Sequence, residues 1–305
     1  MTETRYAFDN AWVEARRRLG HLETICDPWT RRNMLGLGVG PGWRCLEVGA
    51  GGGSVTRWLC ERVGPDGRVT AVDLDTRFVE NEDFTNLEVL QRDIVAQGLP
   101  GGGYDLVHAR ALLMHLPDRD QLVEQFIAAV RPGGVILLEE GDTHPLGMNP
   151  SPVVRTALQY FVDAAAGAGM DPTWARNLPA ILQRHGLVDI TAAGDELWGA
   201  GGSAVAELLL LSCEQVRPLV DDEGRAAFDA AAALLAEVSS TTELSGAAIL
   251  RHAVGLEGSA FGGPVTVDGS GWAADLLRSA ADARSLPAPD GFVGELRPYQ
   301  ADARG

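Results

Sequence analysis

The stretch that decides the fold is Leu46-Glu47-Val48-Gly49-Ala50-Gly51-Gly52-Gly53-Ser54. It follows the apolar strand pattern Arg44–Val48 and leads into a helical pattern that runs to about Val63. A glycine-rich turn between a strand and a helix lets the backbone approach a ligand closely at the helix N-terminus. Dinucleotide enzymes and several other families share such a loop, so it predicts a ligand site and leaves the ligand open.

The sequence around this loop alternates short apolar runs with helical stretches from Arg44 to Glu140. This rhythm predicts an α/β fold in which a doubly wound parallel sheet is covered by helices on both faces. After Glu140 the spacing lengthens, and we interpret residues 203–238 as a helical insertion that caps the ligand face. The expected strands are Arg44–Val48, Arg68–Val72, Leu87–Gln91, Tyr104–Ala109, Val135–Glu139 and, later, Val188–Leu197.

Three carboxylates at the expected ligand edge indicate the charge of the ligand. Glu47 would repel a pyrophosphate but favours an ammonium group. Asp73 ends the second strand, where a carboxylate can accept hydrogen bonds from ribose hydroxyls. Asp93 and Ile94 follow the third strand and can hold an adenine amino group against an apolar wall, although Asp93 also suits a helix N-cap. Together these residues describe a nucleoside with a cationic, amino-acid-bearing 5′ end, as in S-adenosylmethionine.

Residues 44–142 resemble class I S-adenosylmethionine-dependent methyltransferases in the order and spacing of several motifs. Similarity to a bacterial subgroup that acts on small molecules extends to about residue 257. The resemblance implies a Rossmann-like sheet of seven mostly parallel strands, with an N-terminal helical arm at 1–40, a methyltransferase domain at 41–258 and a C-terminal extension at 259–305. The matching motifs are the glycine loop, Val69-Thr-Ala-Val-Asp73-Leu74-Asp75, Gln91-Arg-Asp93-Ile94, Tyr104-Asp105-Leu106-Val107-His108-Ala109-Arg110, Leu113-Met-His115-Leu-Pro117-Asp118 and Arg131-Pro132-Gly133-Gly134.

The resemblance also implies which residues meet the cofactor, S-adenosylmethionine. The backbone of the glycine loop and of the fourth strand would contact the methionine moiety, and Glu47 would lie near its ammonium group. Asp73 would take the ribose, and residues after the second and third strands would take the adenine. The implied residues are Glu47, Gly49, Gly51, Asp73, Leu74, Asp93, Ile94 and Ala109.

Methyl transfer needs a general base only when the acceptor must lose a proton. His115 is the best candidate, because it follows the fourth strand at the edge that faces the methyl group in similar enzymes. A histidine at this position can work with an N-terminal tyrosine in such enzymes, which makes Tyr6 its candidate companion. The alternative is that His115 only ties down its loop. Some carboxylates of a nearby acidic cluster could orient the acceptor or ligate a metal, but their spacing is not diagnostic, and helix-capping or solvated-loop roles are the alternative. The cluster is Glu139, Glu140, Asp142 and His144. Aromatic residues are candidates for the wall of an apolar acceptor pocket, with a place in the core as the alternative for each, and these are Trp12, Trp29, Phe161, Trp174 and Trp198.

The composition of the 305 residues limits the chemistry and the partners. All 25 basic residues are arginine, so Schiff-base catalysis and a Walker A lysine are excluded. A net charge of −17 disfavours a nucleic-acid substrate. The four cysteines have no metal-ligand or disulfide spacing, and no run is long and apolar enough to cross a membrane. We therefore expect a cytoplasmic protein with a small-molecule partner, without metal, nucleic-acid or membrane sites, and a homo-oligomer is compatible with the sequence.

The sequence thus predicts methyl transfer from S-adenosylmethionine to oxygen or nitrogen of a small apolar or aromatic metabolite, with carbon as a further option. One alternative is a protein that binds the cofactor without transferring the methyl group. Another is a nicotinamide dehydrogenase, which would have to hold a pyrophosphate beside Glu47.

Overall fold

Five strands form a parallel sheet in the computed structural model, which describes residues 7–80, 83–237 and 245–249. Their order across the sheet is β3-β2-β1-β4-β5, so the chain begins in the middle and winds outward in both directions. Every neighbouring pair is parallel. The predicted α/β doubly wound fold is therefore confirmed. The strands are β1 (Arg44–Val48), β2 (Arg68–Asp73), β3 (Leu87–Gln91), β4 (Tyr104–Arg110) and β5 (Val130–Glu139).

Helices cover the sheet and connect its strands, except between β2 and β3, where the described residues form turns. β1, β2 and β4 are almost entirely buried, which fits their apolar sequences, because a sheet between two helical layers has no solvated face. Two core clusters lie on opposite faces, one around Phe126 and Leu182 and one around Met34 and Leu59. The helices are α1 (Ala15–Gly36), α2 (Ser54–Val63), α3 (Ile94–Gln97), α4 (Arg119–Ala129), α5 (Pro152–Gly167), α6 (Leu178–Arg184), α7 (Ala204–Val216) and α8 (Asp222–Glu237).

The prediction of a seven-stranded sheet is confirmed for five strands. Within the described residues, two further strands, β6 (Asp195–Gly199) and β7 (Ser245–Ile249), form a separate antiparallel pair. The strand predicted at Val188–Leu197 begins later than expected. Asp189 has a left-handed φ of 56°, a conformation that interrupts an extended run.

A third core cluster joins helices that follow the sheet in the chain. α5, α7 and α8 pack together, and the side chain of Phe8 is buried among them. α1 packs against α7, and Arg17 of α1 forms an ion pair of 2.5 Å with Glu207 of α7. This helical group contains the two helices that form the predicted cap 203–238.

Part of the predicted domain organisation lies outside the described residues. The C-terminal extension 259–305 is among those positions, and its boundary stays a prediction. In the portion of the chain that the structure describes, no helix is long and apolar enough to span a membrane.

Candidate functional site

A cavity of about 650 Å³ lies where β1, β2 and β4 end. This is the edge at which open parallel sheets bind ligands, because the loops after adjacent strands diverge there. The structure brings together seven of the eight residues predicted to meet the cofactor. The lining residues among them are Glu47, Gly49, Gly51, Asp73, Leu74, Asp93 and Ile94.

Ala109 is the predicted cofactor residue that does not line the cavity. Its side chain is fully buried inside β4, paired in register with Val48 of β1. The next two residues, Arg110 and Ala111, line the cavity instead. The backbone contact expected of Ala109 stays a prediction.

The glycine loop is shaped by backbone conformations that favour glycine. Gly49 and Gly51 have φ values of 76° and 53°, in the left-handed region where a side chain would strain the backbone. A Cβ on Gly49 would also lie only 3.1 Å from a methyl carbon of Leu112. The backbone N–H of Gly51 donates to Oδ2 of Asp73 at 2.8 Å, which ties the loop to the end of β2.

Asp73 and Leu74 form the wall beside the loop. Oδ1 of Asp73 accepts from the backbone N–H of Asp75 at 3.0 Å. Burial raises the pKa of the Asp73 carboxyl, although the hydrogen bonds from backbone N–H groups act to lower it. Leu74 is 60% exposed although it borders the cavity. An acceptor-rich carboxylate beside an exposed apolar side chain can receive a sugar and a flat ring side by side.

Asp93 also has the role of a helix cap. Its Oδ1 accepts from the backbone N–H groups of Val95 and Ala96 at 2.9 and 3.2 Å, at the start of α3. This is the N-cap geometry that the sequence left as an alternative. Asp93 also lines the cavity, so the same residue caps α3 and borders the site.

Glu47 forms a buried ion pair with His108 that was not predicted from the sequence. Glu47 and His108 lie opposite each other in the register of β1 and β4, so their side chains share a face of the sheet. Nδ1 of His108 lies 2.6 Å from Oε2 of Glu47, and Nε2 lies 3.3 Å from Oε2 of Glu139 on β5. Burial alone would lower the pKa of His108, but the two carboxylates raise it to about 9. The imidazolium therefore holds Glu47 in place at neutral pH.

The sequence did carry a signal for this pair. β1, β4 and β5 each bury one charged or imidazole side chain within or at the end of an apolar run, and these are Glu47, His108 and Glu139. Buried charges need partners, so three such residues on adjacent strands indicate contact. The register, which the sequence does not give, decides which of them meet.

A second unpredicted polar group is built around Arg110. Its Nη1 donates to Oδ1 of Asp27 at 3.0 Å and to Oγ1 of Thr30 at 2.9 Å, both on α1. Oδ1 of Asp27 also accepts from Oγ of Ser54 at 2.9 Å. The carboxylate of Asp27 on α1 therefore holds both the guanidinium of Arg110 at the cavity wall and Ser54, the first residue of α2.

His115 also lines the cavity. Its ring packs edge-on against Phe8, with ring centroids 5.1 Å apart. Burial, with the nearby cations Arg18 and Arg119, lowers the pKa of His115 to about 3. The imidazole is therefore neutral at physiological pH and can accept a hydrogen bond. Its candidate companion, Tyr6, lies outside the described residues.

The turn that carries His115, Leu113–His115, is held by two charged residues. The buried carboxylate of Glu140 accepts from the backbone N–H groups of Leu112, Leu113 and Met114, the shortest at 2.8 Å. Burial raises the pKa of Glu140 to about 7, against the lowering effect of these hydrogen bonds. Arg119 donates to the carbonyl oxygens of Leu113 and Met114. Glu140 and Arg119 thus hold this turn through its backbone, and both roles considered for His115, as a base and as a residue that ties down its loop, stay predictions.

The remaining members of the acidic cluster serve local structure. Asp142 pairs with Nε of Arg176 at 2.6 Å and accepts from the backbone N–H of His144 at 2.9 Å. Across residues 7–80, 83–237 and 245–249, no group of three or more His, Cys, Asp or Glu residues has the geometry of a metal site.

The far wall of the cavity is apolar and comes from elements outside the sheet. α5 contributes Phe161, and α7 contributes Leu208 and Leu209. Of the aromatic residues considered for this wall, Phe161 alone is among the lining residues, and the side chain of Trp198 lies outside the described set. Trp174 is instead buried in the core on one face of the sheet, because α6 and its preceding turn pack there.

Comparison with known proteins finds similarity to methyltransferases. A family model described as a methyltransferase domain matches residues 46–136. The chain is 30% identical over 148 residues to Methyltransferase str3 of Strobilurus tenacellus, covering 46% of this chain and 51% of that protein. It is 28% identical over 188 residues to nocamycin O-methyltransferase of Saccharothrix syringae, covering 59% of this chain and 66% of that protein.

The curated relatives match only part of the chain. The chain spans about half the length of the first curated relatives it matches. Among solved structures, a cyclopropane-fatty-acyl-phospholipid synthase-like protein from Lactobacillus casei has a TM-score of 0.51 at 16% identity, covering 80% of this chain and 94% of that one. At this identity the likeness concerns the fold.

Proposed function

We propose that the protein transfers a methyl group from S-adenosylmethionine to a small molecule, because residues 46–136 are similar to a methyltransferase domain. One observation carries the proposal. The wall of a single cavity combines seven residues expected to meet this cofactor with His115 and an apolar surface. A cofactor and an acceptor can therefore be neighbours in one enclosed space.

The residues present suit this cofactor. The volume of about 650 Å³ falls inside the usual range for small-molecule sites, about 300–1,000 Å³. Glu47 and Arg110 offer opposite charges for an amino-acid group, and Asp73 offers acceptors for ribose hydroxyls. The exposed side chain of Leu74 offers a surface for adenine.

When bound, the cofactor supplies an electrophilic methyl group on a sulfonium. The protein then has to hold the acceptor atom in line with that group and to keep water away, and such positioning can supply much of the rate. We assign the exclusion of water to Phe161, Leu208 and Leu209 on the far wall. In this proposal α7 and α8, within the predicted cap 203–238, cover the site.

His115 is proposed as the residue that faces the nucleophilic atom of the acceptor. Because its imidazole is neutral, it can accept a hydrogen bond from a hydroxyl or an amine. A pKa of about 3 makes it a weak base, so it would receive the proton as the methyl group is transferred rather than before. Tyr6 stays its proposed companion.

The proposed acceptor is a small apolar or aromatic metabolite that is methylated on oxygen or nitrogen. The apolar far wall supports an apolar acceptor, and the similarity to nocamycin O-methyltransferase supports oxygen as the methylated atom. Carbon stays a further option. The net charge of −17 supports the absence of a nucleic-acid partner. A cytoplasmic location and a homo-oligomer stay predictions.

A second candidate function is binding of the cofactor without methyl transfer. The low basicity of His115 favours it, since a site without an effective base limits which acceptors can react. The two functions differ in the fate of the methyl group.

The test is incubation of the full chain with methyl-labelled S-adenosylmethionine and a panel of phenols, aliphatic alcohols, amines and enolisable ketones. The proposed function predicts label in at least one acceptor together with S-adenosylhomocysteine in equal amount. Binding of the cofactor with label in none of the panel would favour the second function.

A further inference from the structure

A cation lies beside the apolar far wall of the cavity. Arg18 on α1 lines the cavity, and its guanidinium carbon lies over the ring of Phe8, 4.7 Å from the ring centroid. The same ring packs against His115 at 5.1 Å and against Phe161 of the far wall at 6.2 Å, measured between ring centroids. Arg18, His115 and Phe161 therefore surround one aromatic ring at the border of the cavity.

The charge of Arg18 acts at the place where His115 lies. Burial lowers the pKa of His115 most, and the positive charges of Arg18 and Arg119 lower it further. Cations that disfavour a proton on an imidazole favour a negative charge at the same place. The cavity therefore favours an anionic group beside His115, although the whole chain has a net charge of −17.

The two arginines differ in what their guanidinium groups bind. Nε and Nη2 of Arg119 donate to three backbone carbonyl oxygens, those of Leu113, Met114 and Gly169. Arg18 stacks on an aromatic face, and stacking uses none of the five N–H donors of a guanidinium. Arg119 therefore holds the protein backbone, whereas the geometry of Arg18 suits a ligand in the cavity.

The carboxylates that line the cavity belong to other parts of it. Glu23 on α1 pairs with Arg16 at 3.2 Å, and both groups lie so close to Gly52 of the glycine loop that a Cβ there would clash with them. The others lie at the carboxyl ends of β1, β2 and β3, and these are Glu47, Asp73 and Asp93. Negative side chains are thus gathered at the glycine loop and the strand ends, whereas Arg18 borders the apolar wall.

A carboxylate fits the position beside Arg18 better than a phosphate does. A planar guanidinium binds a carboxylate through two parallel N–H donors, and the two single charges neutralise each other. A phosphate monoester has about 1.5 to 2 negative charges at pH 7. The excess charge would lie against Phe161, Leu208 and Leu209, where an unpaired charge is costly.

Resting on the proposed function, we propose that the methyl acceptor is an acid, whose carboxylate Arg18 binds while its apolar body packs against the far wall. The carboxylate then lies beside His115 and orients the acceptor atom that His115 faces. Arg18 is thus the residue that distinguishes acids from other apolar acceptors.

The test is calorimetry of the full chain saturated with S-adenosylhomocysteine. The probes are an aromatic acid, 2-naphthoate, and an aliphatic acid, decanoate, each compared with its uncharged carboxamide. The unmodified chain should bind at least one acid about 10- to 100-fold more tightly than its amide, as expected for charge-assisted hydrogen bonds. A further probe, 2-naphthyl phosphate, should bind more weakly than 2-naphthoate.

Variants of α1 assign the preference to one side chain. Arg18→Gln should weaken binding of the acid to the affinity of its amide and leave the amide unchanged. Arg18→Lys keeps the charge without the planar group, should retain part of the preference, and serves if the glutamine variant does not fold.

Arg17→Gln is the matched control. It removes the same charge from the adjacent position and breaks the ion pair with Glu207 of α7, but Arg17 is not among the residues that line the cavity. It should leave the ratio of acid to amide affinity unchanged. A general disturbance of α1 is thereby separated from the loss of the carboxylate's partner, and thermal melts should show the variants folded.

Four results would overturn the proposal while leaving the proposed function intact: equal affinity for acid and amide in the unmodified chain, no binding of either acid, an acid preference that survives in Arg18→Gln, or tighter binding of 2-naphthyl phosphate than of 2-naphthoate. Failure of the unmodified chain to bind S-adenosylhomocysteine would overturn the proposed function, and this proposal with it.

Discussion

Asp73 and Asp93 are similar in sequence, since each is an aspartate at the end of a strand. In the structure, Asp73 ties down the glycine loop through Gly51, whereas Asp93 caps α3. The sequence predicted that both would reach the ligand edge, because strand ends are evident from the apolar runs. It could not separate their roles, because these depend on which backbone N–H groups the loops turn toward each carboxylate.

Asp73→Ala should weaken binding of S-adenosylhomocysteine about tenfold or more, because it removes the proposed acceptors for the ribose and the anchor of Gly51. Calorimetry measures the change. Asp75→Ala is the control, since the side chain of Asp75 pairs with Arg77 and does not line the cavity. An unchanged affinity in the Asp73 variant would contradict the ribose assignment.

His115→Ala should lower methyl transfer about 100-fold while the affinity for S-adenosylhomocysteine is kept. The side chain lines the cavity, and Glu140 and Arg119 hold the backbone of its loop. Because the pKa of His115 is lowered to about 3, its deprotonation should not appear in the pH–rate profile between about pH 5 and 8. Turnover by the variant at the normal rate would refute the role in proton acceptance.

At the scale of elements, the central strands and the loop–helix unit were predictable because their patterns are local. β1 and β3 were predicted with their observed boundaries, and the other strands of the sheet were located with shifts at their ends. The sequence predicted His115 as a site residue, but it did not predict the turn Leu113–His115 that carries it. Its support comes from Glu140, which lies at the end of β5 and reaches the turn only through the fold.

Glu140→Ala should destabilise the protein by roughly 2–4 kcal/mol, because three backbone N–H groups would lose a buried acceptor. Denaturant unfolding measures this change. Glu124→Ala, on the mostly solvated face of α4, is a suitable control and should change stability by less than about 0.5 kcal/mol. Equal stability of the two variants would show that Glu140 does not hold the turn.

At the scale of the whole molecule, the site is completed by helices that are distant in sequence. α1 supplies Thr30 and Asp27, which bind Arg110, and α5 and α7 supply the apolar wall of the cavity. Thr30 has no distinguishing pattern within its helix, so the sequence could not reveal its part. Tertiary contacts of this kind set the acceptor pocket as well, which explains why the cofactor was easier to predict than the acceptor.

The central claim is that this cavity binds S-adenosylmethionine rather than a dinucleotide. Calorimetry of the full chain with S-adenosylhomocysteine and, separately, with NAD tests it most directly. We predict saturable binding of S-adenosylhomocysteine and no binding of NAD, because Glu47 borders the glycine loop where a pyrophosphate would lie. Tight binding of NAD without binding of S-adenosylhomocysteine would contradict the account.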